Sequence, residues 1–587
     1  MRFWLLFSLS AVLAGCGGGG GSTPAPDPVG GDAPPADDTD NGAVASPPPM
    51  DLSSVEPAGY GFTTLRYVDG NLGGTCSGRY SAPARACGSG ADTAYATLAA
   101  AAAAAQPGVQ FVVRGGTYRE SLRLRISGRA DAYVGFTAEA GETVVLSGVD
   151  SLESGEEYGA IWMDHVRYNL VRGFVVRGSV GYLRAVDAHY NVIREGVFEG
   201  STLYPDASKR GGLYFAWSSH NKVLDSTINR GTDSLALIHS DYNVVHGNRF
   251  DRAGHDVWNI KCGSFNVIRG NIITNPEQKM GSVFDCEAAT TGWHGNGEFA
   301  EEVAIVDSTR RNLIDGNVFH ESSSYYSSSG GNGIQYAGQQ GIIRRNVFYR
   351  NNIGLGMTQY PDEAMYNWGN RVYNNVFHDN RCAGIFAQGG AGGGRVEDNR
   401  YINNVLWDNH GWLPDGNCDG QGPGQVLFRL SLAEHRFVTN LVASPDGDAV
   451  IREEFGDGGT VGDFTDGGNF AGTIQVNPGF AAEADRDYRP GAGSALIDAG
   501  QWLTSTRSEG SGRIVAVQDA GWFYDGYGIV GEQGDLVQFE GQSDSYRIVS
   551  VDDSARTITL ATDASWRAGQ GLALAWQGDG PDIGAYE

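Results

Sequence analysis

The chain has 587 residues, with 69 acidic against 42 basic side chains and a formal charge of −27. Glycine is enriched, at 87 residues, yet 41% of the chain is hydrophobic and only 19% charged, so a core can form and a wholly disordered protein is excluded. The acidic balance makes phosphate backbones and anionic bilayers repulsive, which excludes nucleic acid as the main partner.

Residues 1–16 read MRFWLLFSLSAVLAGC. Arg2 precedes an apolar run, Phe3 to Leu13, that is too short to span a bilayer. The run ends in Leu13-Ala14-Gly15-Cys16, which resembles the lipobox of a bacterial lipoprotein. The resemblance implies cleavage before Cys16, acylation of that residue and, with Gly17 following, an outer-membrane lipoprotein facing the periplasm or the cell surface. Residues 17–59 are dominated by Gly, Pro, Ala, Asp and Ser and read as a disordered tether. Six further cysteines remain, and export permits disulfides. Proximity in sequence pairs Cys76–Cys87, Cys262–Cys286 and Cys382–Cys418 among the connectivities that six cysteines allow. The absence of Cys-x-x-Cys argues against structural zinc.

The segment from Asp92 to Gly108, DTAYATLAAAAAAAQPG, reads as a capped helix stopped by Pro107-Gly108. A repeat then takes over: YNLVRGFVVRG from Tyr168, YNVIREGVFEG from Tyr190, HNKVLDSTINRG from His220, YNVVHGNRFDRAG from Tyr242, FNVIRGNIITN from Phe265 and RNLIDGNVFHES from Arg311. Its lead asparagines, Asn169, Asn191, Asn221, Asn243, Asn266 and Asn312, are 22, 30, 22, 23 and 46 residues apart. Short β-rich runs broken by Gly and Asn at this period predict a right-handed parallel β-helix, one unit per coil, with about 4.8 Å between stacked strands. The lead Asn is expected to take a left-handed turn conformation and to bond to the next coil in a ladder. The Ala-rich helix is expected to cap the first coil and cover its sheet edge.

The opening segment, RYVDG…TAYATLAAAAAAAQPGVQFVVRGGTYRE, and the closing one, DYRPGAGSALIDAG…GPDIGAYE, resemble those of the pectin-lyase-like β-helix superfamily. Residues 60–503 are thus assigned to an all-β, right-handed parallel β-helix with an N-terminal capping helix. Within 504–578 the alternating runs RIVAVQDAGWF, GDLVQFEG, SYRIVSVDD, RTITLATDA and LALAWQG predict a small antiparallel β-module. Its expected role is to cap the C-terminal end, before a terminal β-helix strand at 579–587.

The strand before each lead Asn is the natural wall of a groove. Alternation places Ile260, Cys262, Phe284 and Cys286 inward, and Asn259, Lys261, Asp285 and Glu287 outward. Lys261 and Asp285, 24 residues apart, are expected to stack. Arg184, Tyr214, Gln335, Thr358 and Tyr360 share the outer face as substrate-binding candidates. The chain contains only four lysines, Lys209, Lys222, Lys261 and Lys279; elsewhere its cation is arginine. A lysine in the groove can lose a proton, which arginine effectively cannot. Residues 165–280 also carry more basic than acidic side chains, as an anionic sugar polymer requires.

The stretch HDVWNIKCGSFNVIRGN, from His255 to Asn271, resembles the surroundings of the catalytic lysine in the alginate lyase and chondroitinase B family. The resemblance implies that Lys261 is the base and Asp256 a calcium ligand. The sequence departs from that family where an arginine is expected on the next coil, because Asp285 and Glu287 stand there. Asp233, Asp256, Asp285 and Glu287 are the candidate Ca²⁺ ligands, through hard carboxylate oxygens. His239 and His255 are alternative bases. The leading expectation is a surface lipoprotein, monomeric, that cleaves a uronate-containing acidic polysaccharide by β-elimination. The alternatives are a glycoside hydrolase using Asp256 with Asp285 or Glu287, a C5-epimerase, or a glycan-binding surface protein without catalysis.

Overall fold

One unit shows how the chain winds. Leu235–Ile238 is extended, Ser240–Asn243 turns, Val244–His246 is extended, Gly247–Asn248 turns, and Arg249–Ala253 is extended again. After a turn through Gly254–Val257 the chain returns as Trp258–Lys261, in parallel register with Leu235–Ile238. Repetition of this circuit gives three long sheets, built almost wholly from parallel pairs. Sheet A has 16 strands and includes Val244–His246, sheet B has 12 and includes Arg249–Ala253, and sheet C has 13 and includes Leu235–Ile238. In this computed structural model the described residues are 44–48, 59–147, 159–205, 211–276, 279–284, 309–322, 331–358, 366–390, 395–409, 424–445, 450–454, 456 and 458–587. Cys16 and most of the tether lie outside them.

The interior follows from stacking identical positions. Phe319, Phe348 and Phe377 occupy the same place on successive coils, with ring centroids 4.8 Å apart and nearly parallel. That separation is the spacing of hydrogen-bonded strands, so backbone pairing and ring packing are satisfied together. The lead asparagines form the expected ladder: the Asn169, Asn191, Asn221, Asn243 and Asn266 amides each donate to the side-chain oxygen of the next, at 2.8–3.0 Å. The left-handed residue, however, is the one before. Tyr168, Tyr190, His220, Tyr242, Phe265 and Arg311 have φ between 54° and 62°. They turn the chain and free each asparagine side chain to point along the stack.

A second ladder runs at the turn between sheets A and B, through Asn248, Asn271, Asn317, Asn346, Asn375, Asn404 and Asn440. A third joins Asn351, Asn380 and Asn409 at the turn from sheet B to sheet C. These buried amides pair the backbone groups that a turn leaves unmatched.

At the N-terminus the helix is shorter than the sequence predicts. It spans Leu98–Ala103, with Thr97 as N-cap, and Asp92–Tyr95 is a strand. The Glu120 carboxylate accepts from the Leu98 and Ala99 amides at 2.9 and 3.1 Å, at the positive end of the helix. Leu98, Ala101 and Ala102 close the core over Phe111 and Leu122. Cys76 and Cys87 are joined as expected. Cys262 and Cys382 are each disulfide-bonded, and the expected partners Cys286 and Cys418 lie outside the described residues.

Residues 504–574 form a six-stranded antiparallel sheet, but it does not cap the end of the stack. It lies along the flank of sheet A, where Trp522, Phe523, Tyr524 and Ile529 share one buried cluster with the outward-facing Leu170, Val192, Val244, Val267, Leu313, Ile342 and Tyr373. The reason is a stripe of apolar side chains on the outer face of sheet A that needs cover. Charges lock the contact. Arg344, wholly buried, sits between Asp315 at 3.0 Å and Asp535 at 2.7 Å, and Arg269 meets Glu532 at 2.9 Å. Burial alone pushes the Asp315 carboxyl up, but the charges of Arg344 and Arg345 hold it well below the usual carboxylate range. The expected terminal strand at 579–587 is not formed either. Instead Ile583, Ala585 and Tyr586 pack against Val318, Val347, Val376, Val405 and Leu441 on the outside of sheet B.

Two substitutions probe these constraints. Asn317→Ala removes the acceptor of Asn271 and the donor to the Ile268 carbonyl, leaving buried groups unpaired. The expected loss is about 1–3 kcal/mol in a urea titration. Arg344→Ala removes the guanidinium that joins Asp315 to Asp535, leaving Asp315 with Arg345 and the buried Asp535 without this cation, and a loss of about 3–5 kcal/mol is expected.

Candidate functional site

Sheet C carries the candidate site. Along Trp258–Lys261, Trp258 and Ile260 face the core, so Asn259 and Lys261 face out. One coil on, Val283 faces the core and Phe284 is the register partner of Lys261. This corrects two expectations. Phe284 points outward, and the neighbour stacked on Lys261 is Phe284 rather than Asp285. The repeat at this coil is 23 residues, one fewer than the distance from Lys261 to Asp285, and a shift of one residue exchanges the two faces of a strand. Cys262 is not a core residue. It ends its strand with φ 54° and is half-buried.

Two outward columns result. One runs Arg123, Trp162, Arg184, Tyr214, Ala236, Asn259, Ser282, Gln335 on successive strands. The other runs Val186, Ala216, Ile238, Lys261, Phe284, Ala337. Just before the strands, Asp233, Asp256 and Lys279 occupy equivalent positions on three coils, as extension of the same register shows.

These positions converge on one polar cluster. Asp256, fully buried, accepts from Ser282 Oγ at 2.6 Å and from Asn259 Nδ2 at 3.2 Å, both at Oδ2. Lys279 Nζ lies 3.5 Å from Asp256 Oδ1 and donates to Gln335 Oε1 at 3.0 Å. His255 Nδ1 is 3.0 Å from Asp233 Oδ1, which also accepts from the Asp256 amide at 3.1 Å. Lys261 and Lys279 both approach the same ring: their ammonium nitrogens are 5.6 and 5.3 Å from the centroid of Phe284. Ring faces attract cations, so one phenylalanine organises both.

The electrostatics are mutual. The charge of Asp256 pushes the His255 imidazolium pKa up; burial opposes this, and the hydrogen bond and charge of Asp233 add to it. For Asp233, burial raises the carboxyl, but the His255 hydrogen bond and the charges of His255 and Lys261 outweigh it and hold it below the usual range.

The structure thus brings together Lys261, His255, Asp233, Asp256, Asn259 and Gln335 from the predicted set. Arg184 and Tyr214 face the same side but lie further down the first column. His239 sits in the turn after Ile238, stacked on Trp217 at 5.3 Å, and burial pushes its imidazole down to about 4, so it is a neutral and weak base. Tyr360, Asp285 and Glu287 lie outside the described residues, and Tyr336 points into the core. Sequence reasoning missed Lys279 and Ser282. The signal for Lys279 was available, since it stands 23 residues after Asp256, as Asp256 does after Asp233.

Asp233, His255 and Asp256 each place a ligand atom within 4.8 Å of the others, a spacing able to hold a metal ion. The donors do not suit Ca²⁺, which takes six to eight oxygens. Here one donor is an imidazole nitrogen, Asp256 is occupied by Ser282 and Asn259, and an ammonium stands 3.5 Å away. A second group, His378, Asp408 and Glu483, lies outside sheet B beside Trp407.

The family model described as periplasmic copper-binding protein NosD matches residues 126–337 and 207–389. No curated protein matches the chain. Among solved structures, pectate lyase Pel9A is 16% identical, with 78% of this chain and 97% of that one covered and a TM-score of 0.33. The periplasmic alginate epimerase AlgG is 12% identical over 59% of this chain and 75% of that one, TM-score 0.36. A rhamnogalacturonan lyase is 11% identical over 64% and 87%, TM-score 0.33. Among the described residues no helix is long and apolar enough to cross a membrane.

The Asp233–His255 pair sets a pH dependence. A raised histidine contributes stability that is complete below its ordinary value of 6.5 and lost as pH rises through its folded pKa. A lowered carboxylate contributes stability that is complete above 3.8 and lost as pH falls through its folded pKa. His255→Gln is therefore expected to lower the melting temperature most at about pH 5, and much less at about pH 9. An equal loss at both would contradict the pairing. The chain is a right-handed parallel β-helix whose residues 126–389 are similar to the NosD family model, and its sheet C carries a polar cluster that includes two lysines.

Proposed function

We propose that this protein cleaves a uronate-containing acidic polysaccharide by β-elimination, as a lipoprotein held at the outer membrane through Cys16. The observation that carries the reading is the convergence of two of the chain's four lysines on the single Phe284 ring in the outer face of sheet C. Elimination needs a neutralised carboxylate, a base for the C5 proton and an acid for the leaving oxygen. Lys279, with Gln335 and Asn259 beside it, neutralises the uronate carboxylate. Lys261 takes the proton from C5; the electron pair forms the C4–C5 double bond as the C4–O bond breaks. His255, whose charged form Asp256 and Asp233 favour, protonates the departing oxygen.

Hydrolysis by paired carboxylates is less well supported. Such pairs flank the scissile bond at about 5–9.5 Å. Of the carboxylates expected to serve hydrolysis, Asp256 is sealed under Ser282 and Asn259, while Asp285 and Glu287 lie outside the described residues. An epimerase would share the C5 chemistry but leave the polymer intact. The name of the matched family favours a second reading, transition-metal binding, because an imidazole beside carboxylates suits such ions.

Incubation with uronate polymers is expected to generate the ultraviolet absorbance of an unsaturated uronate. Lys261→Arg keeps the charge and is expected to lower turnover by about 10²- to 10⁴-fold. Turnover that survived this change would remove Lys261 as base. Reducing ends without absorbance would indicate hydrolysis, and retention of polymer without either product would indicate binding alone. Titration calorimetry with Cu²⁺ on the wild type and on His255→Gln tests the second reading, which requires binding that the substitution abolishes.

A further inference from the structure

The first outward column of sheet C continues away from the lysine cluster toward the N-terminal end of the stack. There it alternates cation and ring, with Arg123, Trp162, Arg184 and Tyr214 as register partners on successive strands. The guanidinium carbon of Arg123 lies 4.5 Å from the centroid of Trp162, and that of Arg184 lies 5.5 Å from it. Because one arginine is on the strand before Trp162 and the other on the strand after, the indole is held between two guanidinium groups. Arg184 is buried, with only the edge of its side chain reaching the surface, and Asp164, 3.5 Å from its Nε, helps fix its head. Between this group and the lysine cluster the floor is apolar, made by Val186, Tyr214, Ala216, Ala236 and Ile238. Arg184 stands three strands from Asn259, about 14 Å at the usual strand spacing.

We propose that Arg123, Trp162 and Arg184 form a distal subsite that binds carboxylates of the same uronate chain, several sugars from the bond broken at Lys261. The proposal rests on the groove being the acidic-polysaccharide site. Guanidinium groups are planar forks that match carboxylates bidentately, and stacking on an aromatic ring pre-orders them for that contact. Trp162 serves to align the two arginines, because its faces are turned to guanidinium groups rather than to sugar. The uncharged floor between the two ends lets the C–H faces of pyranose rings lie against it without stranding a polar group. A chain bound at both ends lies along the axis of the stack, so the subsite selects long acidic polymers over short ones.

Calorimetric titration of the full chain carrying Lys261→Arg, which holds substrate without consuming it, tests this with two probes: a uronate disaccharide and a long oligouronide. The long probe is expected to bind more tightly than the disaccharide. Arg123→Gln and Arg184→Gln should each weaken the long probe roughly tenfold and leave the disaccharide unchanged. Arg123 is half-buried on a short strand at the sheet end, so its substitution tests the subsite even if Arg184→Gln does not fold. Unchanged affinity for the long probe, or equal losses for both probes, would overturn the subsite while leaving the cleavage reading in place. Failure of either probe to bind the parent protein would overturn the reading of the groove, and the subsite with it.

Discussion

Everything in this molecule depends on one repeated distance, the spacing between hydrogen-bonded parallel strands. Each coil must place its backbone, its inward rings and its turn amides so that all three repeat at that interval. Phe319, Phe348 and Phe377 meet the requirement in the core at 4.8 Å, and three asparagine ladders meet it at the corners. Buried amides have few ways to be satisfied, so the ladders also fix register: a coil that slipped by one residue would break a bond at each corner and turn its apolar face outward. Register, in turn, decides which side chains become neighbours outside.

The polar cluster on sheet C is that register made into chemistry. Asp233, Asp256 and Lys279 are far apart in sequence and adjacent only because whole coils intervene. Their charges run acid, acid, cation, so each ionised group shapes the next. His255 is charged more readily because of Asp256, and Asp233 stays ionised because of His255 and Lys261. Such coupling needs partial burial, since exposed charges at these distances are screened. Phe284 supplies the apolar wall that a solvated groove would lack.

Much of this was legible in the chain. The period, the lead asparagines, the inward direction of Ile260 and the outward direction of Lys261 all follow from spacing and alternation. The partner one coil beyond Lys261 did not, because the spacing of the lead asparagines does not mark whether that coil holds 23 or 24 residues before the long interval to Asn312. The second ladder was in plain view as Gly-Asn and Asn-Asn pairs, yet its role emerges only when successive turns are superposed. The flank position of residues 504–574 had a signal too. In sheet A both alternating positions are apolar, as in Leu170-Val171, Val192-Ile193, Val267-Ile268 and Leu313-Ile314, so both faces had to be covered. What covers the outer one is a long-range matter that local pattern does not carry. Except for Arg311, the left-handed residues before the lead asparagines are bulky rings, contrary to simple preference, and they are tolerated because they stack on one another, as Tyr190, His220 and Tyr242 do.

The flanking sheet has a mechanical consequence. It grips sheet A from Leu170 to Ile402 through one continuous apolar seam and several buried ion pairs, so it acts as a splint across many coils at once. A bare solenoid bends and breathes between neighbouring turns, and small changes in pitch add up along its length. Splinted on one wall, the stack keeps its opposite walls straight, and the outward columns of sheet C hold their gauge from one end to the other.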